Sequence, residues 1–156
     1  MQEEKIAFLQ ETLFQKLTLL QAHTPSLWGV MDARQMLEHL ALFFDVSYQK
    51  SSFPLAVPEA HLPKYKEFLY SDKPFRENTK APAIILGDAP LPYQFDSIER
   101  AKENLTQSVN RFFAYFHAHP GATTLHPVFG DLNFEEWVLL HSKHVAHHLR
   151  QFGLQV

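Results

Sequence analysis

The chain has 156 residues, 46% of them hydrophobic and 13% aromatic, including 14 Phe, and this length suits one domain over 1–156 with a core of its own. Fourteen basic against 17 acidic residues leave a net charge of −3, which excludes the basic excess that a nucleic-acid binder or a polybasic membrane-surface protein needs. Cysteine is absent while histidine occurs ten times, so disulfides, Cys-based zinc sites and a Cys nucleophile are excluded and imidazole is the chemistry left to examine.

The opening segment MQEEKIAFLQETLFQKL lacks the basic start and unbroken apolar run of a signal peptide. Nowhere do eighteen apolar residues follow one another, so no span is predicted and a soluble, cytoplasmic protein is expected. Apolar spacing predicts four helices. In the first, Ile6, Leu9, Leu13, Leu17 and Leu20 recur every three or four residues, and His23-Thr24-Pro25-Ser26 breaks the pattern. The second begins at Asp32, with Gln35 as its reciprocal capping partner and Met31 and Met36 in the positions of a hydrophobic staple. Met36, Leu40, Phe43 and Ser47 line its inner face, with His39 among them.

Between Ser51 and Phe95 lie seven of the ten prolines, too many for a continuous helix. A short helical turn around Lys64–Tyr70 and an extended piece at Ala83–Leu86 fit this stretch, which reads as a long crossover joining the second and third helices. The third helix starts at Asp96 or Ser97, and Asp96 with Glu99 has capping-box spacing. Ile98, Ala101, Leu105, Val109, Phe112 and Phe116 keep its period until His119-Pro120-Gly121 ends it. The fourth takes Asn133 as cap, Glu136 as partner, and Leu132 with Trp137 as staple, and it stops at Gly153. The fold class is therefore all-α, a four-helix bundle with a proline-rich crossover.

The fourth helix carries the informative pattern. On a helical wheel Trp137, His141, His144 and His148 fall within an arc of about 60°, flanked by Leu140 and Phe152. Ser142, Lys143, Ala146 and Arg150 occupy the other side, and His147 sits on the edge, where solvent explains it. Three inward imidazoles are hard to satisfy with apolar neighbours, since both ring nitrogens want partners. A metal ion solves this economically. His144 and His148 have the i, i+4 spacing that lets two ligands reach one cation, and His141 and His144 have the related i, i+3 spacing. His141 and His148 are about 10 Å apart along the axis, so all three do not share one ion, and periodicity does not choose between the pairs.

A third ligand should come from another helix, and His39 is the leading candidate. Gln35, one turn earlier on the same side, is expected beside it or along the cleft. His23, His61, His117, His119 and His126 fall at helix ends or in loops. The blander alternative, hydrogen-bonded core histidines without metal, suits a lone inward His better than it suits this stripe. The run Arg111-Phe112-Phe113-Ala114-Tyr115-Phe116 reads as core packing, and Glu135-Glu136 as capping and helix-dipole compensation. The sequence contains no HExxH, no phosphate-binding glycine loop and no GxSxG elbow.

Three segments carry a family resemblance: Ala33-Arg34-Gln35-Met36-Leu37-Glu38-His39-Leu40, His144-Val145-Ala146-His147-His148-Leu149-Arg150-Gln151, and His126-Pro127-Val128-Phe129-Gly130 with Glu136-Trp137. The first two resemble the second-helix and last-helix signatures of the DinB-like metalloenzymes, the superfamily of the bacillithiol- and mycothiol-dependent transferases and isomerases. The third resembles an uncharacterised branch of it. The resemblance implies a bundle whose metal is held by His39, His144 and His148, which selects the i, i+4 pair. Gln35, His141 and Gln151 are then expected beside the ligands or along the cleft.

Such a site has at least one open position, as catalytic zinc sites do, where a water or an external thiol would lose its proton. With no cysteine in the chain, any thiol would be an external low-molecular-weight one. The expected function is a metal-dependent enzyme that transfers such a thiol to an electrophile or hydrolyses a small substrate. The alternative is a non-catalytic metal- or ligand-binding bundle with a sensing or stress-response role. Zinc is the expected ion, with nickel, iron and copper also suited to three imidazoles. A small-molecule substrate is expected, without nucleic acid or membrane, and bundles of this kind can pair as homodimers.

Overall fold

A computed structural model describes residues 2–77, 79 and 91–154. Helix α1 covers 2–17 in three consecutive pieces: α-helix over Gln2–Ala7, a π-helical turn over Phe8–Thr12, and α-helix again over Leu13–Leu17. Leu9 in the π turn and Leu13 and Leu17 in the piece that follows are all buried.

Helix α2 (Ala33–Ser47) has the expected cap: Gln35 N donates to Asp32 Oδ1 at 2.8 Å, and Asp32 N donates back to Gln35 Oε1 at 2.9 Å. The proline-rich stretch holds α3 (Leu62–Tyr70), entered through a 3₁₀ turn at Glu59–His61 and carrying Pro63 in its first turn, where the missing N–H is not needed. The expected extended piece at Ala83–Leu86 lies outside the described residues. For α4 (Ile98–Ala118) the cap is Ser97, whose hydroxyl accepts from Arg100 N, while Asp96 pairs with the Arg100 side chain on the surface. In α5 (Phe134–Gln151), Asn133 and Glu136 form the expected reciprocal box.

The described residues thus form five helices where four were expected, and they also include an unexpected antiparallel hairpin. Strands β1 (Thr124–His126) and β2 (Gly130–Leu132) pair Thr124 with Leu132 and His126 with Gly130. At three residues each they are too short for a period-2 pattern. Pro127 and Gly130, with Gly130 at φ 79°, make the turn, and His126 Nδ1 accepts from Val128 N and Phe129 N at 3.0 and 3.2 Å. Two buried bonds seat the hairpin. Thr124 Oγ1 donates to the Ser47 carbonyl on α2, and Trp137 Nε1 on α5 donates to Thr124 Oγ1.

Helix α2 packs along α4, and α5 contacts α1, α2, α3 and β2. One apolar cluster runs through them, with Leu13, Met36, Leu40, Phe44, Leu105, Phe112, Trp137 and Leu149 among its most buried members. No helix among the described residues is long and apolar enough to cross a membrane.

Candidate metal centre

Where α2 and α5 meet, three imidazoles converge. His39 comes from α2, and His144 and His148 come from successive turns of α5. His39 Nε2 lies 2.9 Å from His144 Nε2, and His148 Nε2 lies 3.1 Å from the same atom. The three ligand atoms all lie within 4.8 Å of one another. Ring centroids are 4.7–4.8 Å apart and the planes cross at 71–74°. Two nitrogens bound tetrahedrally to one zinc at 2.0–2.1 Å would be separated by roughly 3.3 Å, so the spacing suits a shared cation.

Protonation points the same way. Burial lowers the His39 pKa to about 4, and the charge of His147 adds to this. Burial also holds His144 and His148 well below the ordinary imidazole value, and the neighbouring histidines push further in that direction. All three rings are therefore neutral at pH 7, the form that binds metal. Neutral rings aimed at one point leave ring nitrogens facing one another, and a proton can lie between only two at a time. A cation satisfies all three. The residues present fit a metal, and among the described residues no carboxylate joins the cluster.

The family model of the DinB superfamily matches residues 9–152. The chain belongs to the DinB superfamily. No curated protein and no solved structure matches it.

Around the triad of this DinB-superfamily chain the walls are aromatic. Phe43 stands edge-on to His39 and His144 at centroid distances of 5.1 and 5.3 Å, and Phe75 lies 6.3 Å from His144. Gln151 Oε1 lies 2.7 Å from His148 Nδ1, so this glutamine stands directly behind one of the candidate ligands. Gln35, one turn before His39 on α2, is the expected capping partner of Asp32, its Oε1 accepting from Asp32 N.

His141 is sunk in the aromatic core. Its ring stacks on Phe44 at 3.9 Å and on Trp137 at 5.2 Å, with Phe112 edge-on at 4.9 Å. Its Nε2 is buried without a hydrogen-bond partner among the described residues. Burial keeps the ring neutral, far below its ordinary pKa.

Two wheel-based placements are corrected by the structure. His147, expected in solvent, is 5% exposed and packs between Trp28, Phe75 and His148. Ser142, expected on the outer side, is 7% exposed. For His147 the reason is long-range. Residues 71–73 are tied to that flank by Lys143, whose ammonium donates to the Ser71 and Lys73 carbonyls at 2.7 and 2.6 Å, and Trp28 arrives from the α1–α2 connection. A wheel sees only its own helix. Trp28, Phe43 and Phe75 went unread as site residues because an aromatic at helical spacing, or in a loop, signals packing alone.

Proposed function

We propose that the chain is a metal-dependent enzyme that transfers a low-molecular-weight thiol to an electrophile or hydrolyses a small substrate at an open three-histidine site. The observation that carries this reading is the convergence of His39, His144 and His148 Nε2 atoms at 2.9–3.1 Å around His144. His39, His144 and His148 would hold the ion as neutral ligands, with zinc the first choice and nickel, iron or copper the alternatives. When bound, the ion supplies positive charge that lowers the pKa of a water or thiol brought to it. The protein contributes the rest. Gln151 steadies His148, while Phe43 and Phe75 exclude water from one side of the triad and offer an apolar surface to a substrate. Three neutral ligands leave the charge of a divalent ion uncompensated, which favours an anionic fourth partner such as a thiolate.

In the same reading residues 1–156 form one cytoplasmic domain. Its helices are arranged as a four-helix bundle elaborated by the proline-rich crossover, and it acts on a small molecule as a monomer or homodimer.

The test begins with tag-free protein. Elemental analysis is expected to find about one metal ion per chain, as a single triad allows. Zinc-loaded protein is then offered chlorodinitrobenzene with several cellular thiols, and separately a set of activated esters. Turnover that needs the metal and disappears in His144→Ala is the expected result. Bound metal without turnover of either kind would favour the non-catalytic bundle, and absence of metal would sink both.

A further inference from the structure

Gln151 ends α5 and is 3% exposed. Its side chain makes two bonds. Oε1 lies 2.7 Å from His148 Nδ1, and Nε2 donates to the Trp28 carbonyl at 3.0 Å. Its backbone carbonyl accepts from Leu27 N at 2.7 Å, so residues 27 and 28 of the α1–α2 connection hold it at both ends.

The two ends of an amide have nearly the same outline, but their hydrogen-bonding roles are opposite. A peptide carbonyl only accepts, so the NH₂ end of Gln151 must face Trp28. The oxygen must then face His148. That oxygen also only accepts, so His148 Nδ1 carries the ring proton and Nε2 keeps a bare lone pair. The bare nitrogen is the one that points into the triad, 3.1 Å from His144 Nε2. The room for this arrangement depends on Gly29. Its φ is +80°, and a Cβ built there would lie 2.9 Å from Gln151 Nε2, closer than ordinary contact.

We infer that Gln151 is a positioning residue that sets the tautomer of His148, and that the Trp28 carbonyl, 123 residues away in sequence, dictates which way its amide faces. The α1–α2 connection thereby controls whether His148 presents a lone pair or an N–H to the other two histidines. Moving residues 27–29 frees the amide to turn over, and a turned amide donates to Nδ1 and drives the ring proton to Nε2. His148 in that form cannot ligate without first losing the tautomer its environment favours.

The tautomer itself does not depend on any metal, whereas its effect on affinity rests on the metal-site reading above. Long-range ¹H–¹⁵N spectra of metal-free protein report which nitrogen of His148 is protonated, and zinc affinity is read by competition with a chelating dye. Wild type is expected to show the proton on Nδ1 alone. Gln151→Met, which keeps the shape but loses both bonds, should show both tautomers and bind zinc about 10- to 100-fold more weakly. Gln151→Glu gives up the bond to the Trp28 carbonyl but keeps an acceptor at Nδ1, and should return the proton to Nδ1 and recover zinc affinity relative to Gln151→Met, which a purely space-filling role for Gln151 would not require. Gly29→Ala crowds the amide and takes the place of Gln151→Met, with the same expected readings, should the latter fail to fold. A His148 that stays protonated on Nδ1 in the folded Met variant overturns the inference. A wild type that shows the expected tautomer but binds no zinc overturns only the metal reading.

Discussion

His144 is the hinge of the triad because both short nitrogen contacts end on its Nε2. His144→Ala should remove stoichiometric metal while leaving the helical circular-dichroism signal intact; retained metal with unchanged coordination would contradict the assignment. His141 offers the opposite case. It lies flat between Phe44 and Trp137 with a buried Nε2 that has no partner among the described residues, and an unmade buried hydrogen bond costs about 1–3 kcal/mol. His141→Phe keeps the stack and removes that cost, at the expense of a somewhat larger ring. It should leave urea stability unchanged or raise it by ~1 kcal/mol, with metal content untouched. Loss of metal in this variant would bring His141 back into the site. Both residues share a stripe on α5, and what separates them is the neighbour each meets. One faces two imidazoles, the other three aromatic rings.

At the scale of an element, α5 carries two of the three candidate ligands and is closed at both ends by side-chain bonds. Asn133 and Glu136 cap its start, and Gln151 anchors its last turn to the Trp28 carbonyl. The cap lies about 16 Å along the axis from His144, so the two ends should be separable by mutation. Asn133→Ala is expected to cost ~1 kcal/mol in urea unfolding and to leave zinc affinity within a few-fold of wild type. A large fall in affinity would mean that fraying at the start of α5 reaches the triad. Helix α2 is fixed at its far end by Asp45, which accepts from Ser108 Oγ on α4 and from the Tyr48 hydroxyl. Burial and this bond push the Tyr48 pKa up to about 12. The hairpin adds a further tie between α2 and α5 through Thr124, so the helices that carry the triad are locked by polar contacts beyond the cluster itself.

The whole molecule should respond to acid through its buried imidazoles. His39 and His126 are lowered to about 4 and about 3, and His141, His144, His147 and His148 are also lowered, in every case chiefly by burial. An unfolded chain takes up protons on these residues near pH 6.5, so below that pH the unfolded state binds more protons than the folded one. Stability therefore rises with pH in this window. The contribution is complete above about pH 6.5 and is lost progressively as the pH falls toward 4 and then 3. Each wholly buried ring adds a slope of at most about 1.4 kcal/mol per pH unit. Urea midpoints of metal-free protein measured from pH 8 to pH 4 should fall steeply below pH 6.5; a flat profile would contradict the burial. Metal makes the dependence steeper, since protons compete for the same nitrogens. Zinc should be released on acidification and retained at pH 8.

Much of this was readable from local signals. The Asp32/Gln35 and Asn133/Glu136 boxes, the end of α4 at His119-Pro120-Gly121 and the inward stripe of α5 are rules of one helix and its caps, and they depend only on residues a turn or two apart. The candidate ligands His39, His144 and His148 were named from that stripe and a family signature, and the fold then brought their nitrogens together. What the sequence by itself determined was therefore which face of each helix carries imidazole, and that no thiol is built into the chain. Only the tertiary structure decided the rest. It placed His141 between Phe44 and Phe112, covered His147 with Trp28 and Phe75, and set the Trp28 carbonyl against Gln151. Each of these is a contact between segments far apart in sequence. Periodicity says which way a side chain points and is silent about what it will meet there.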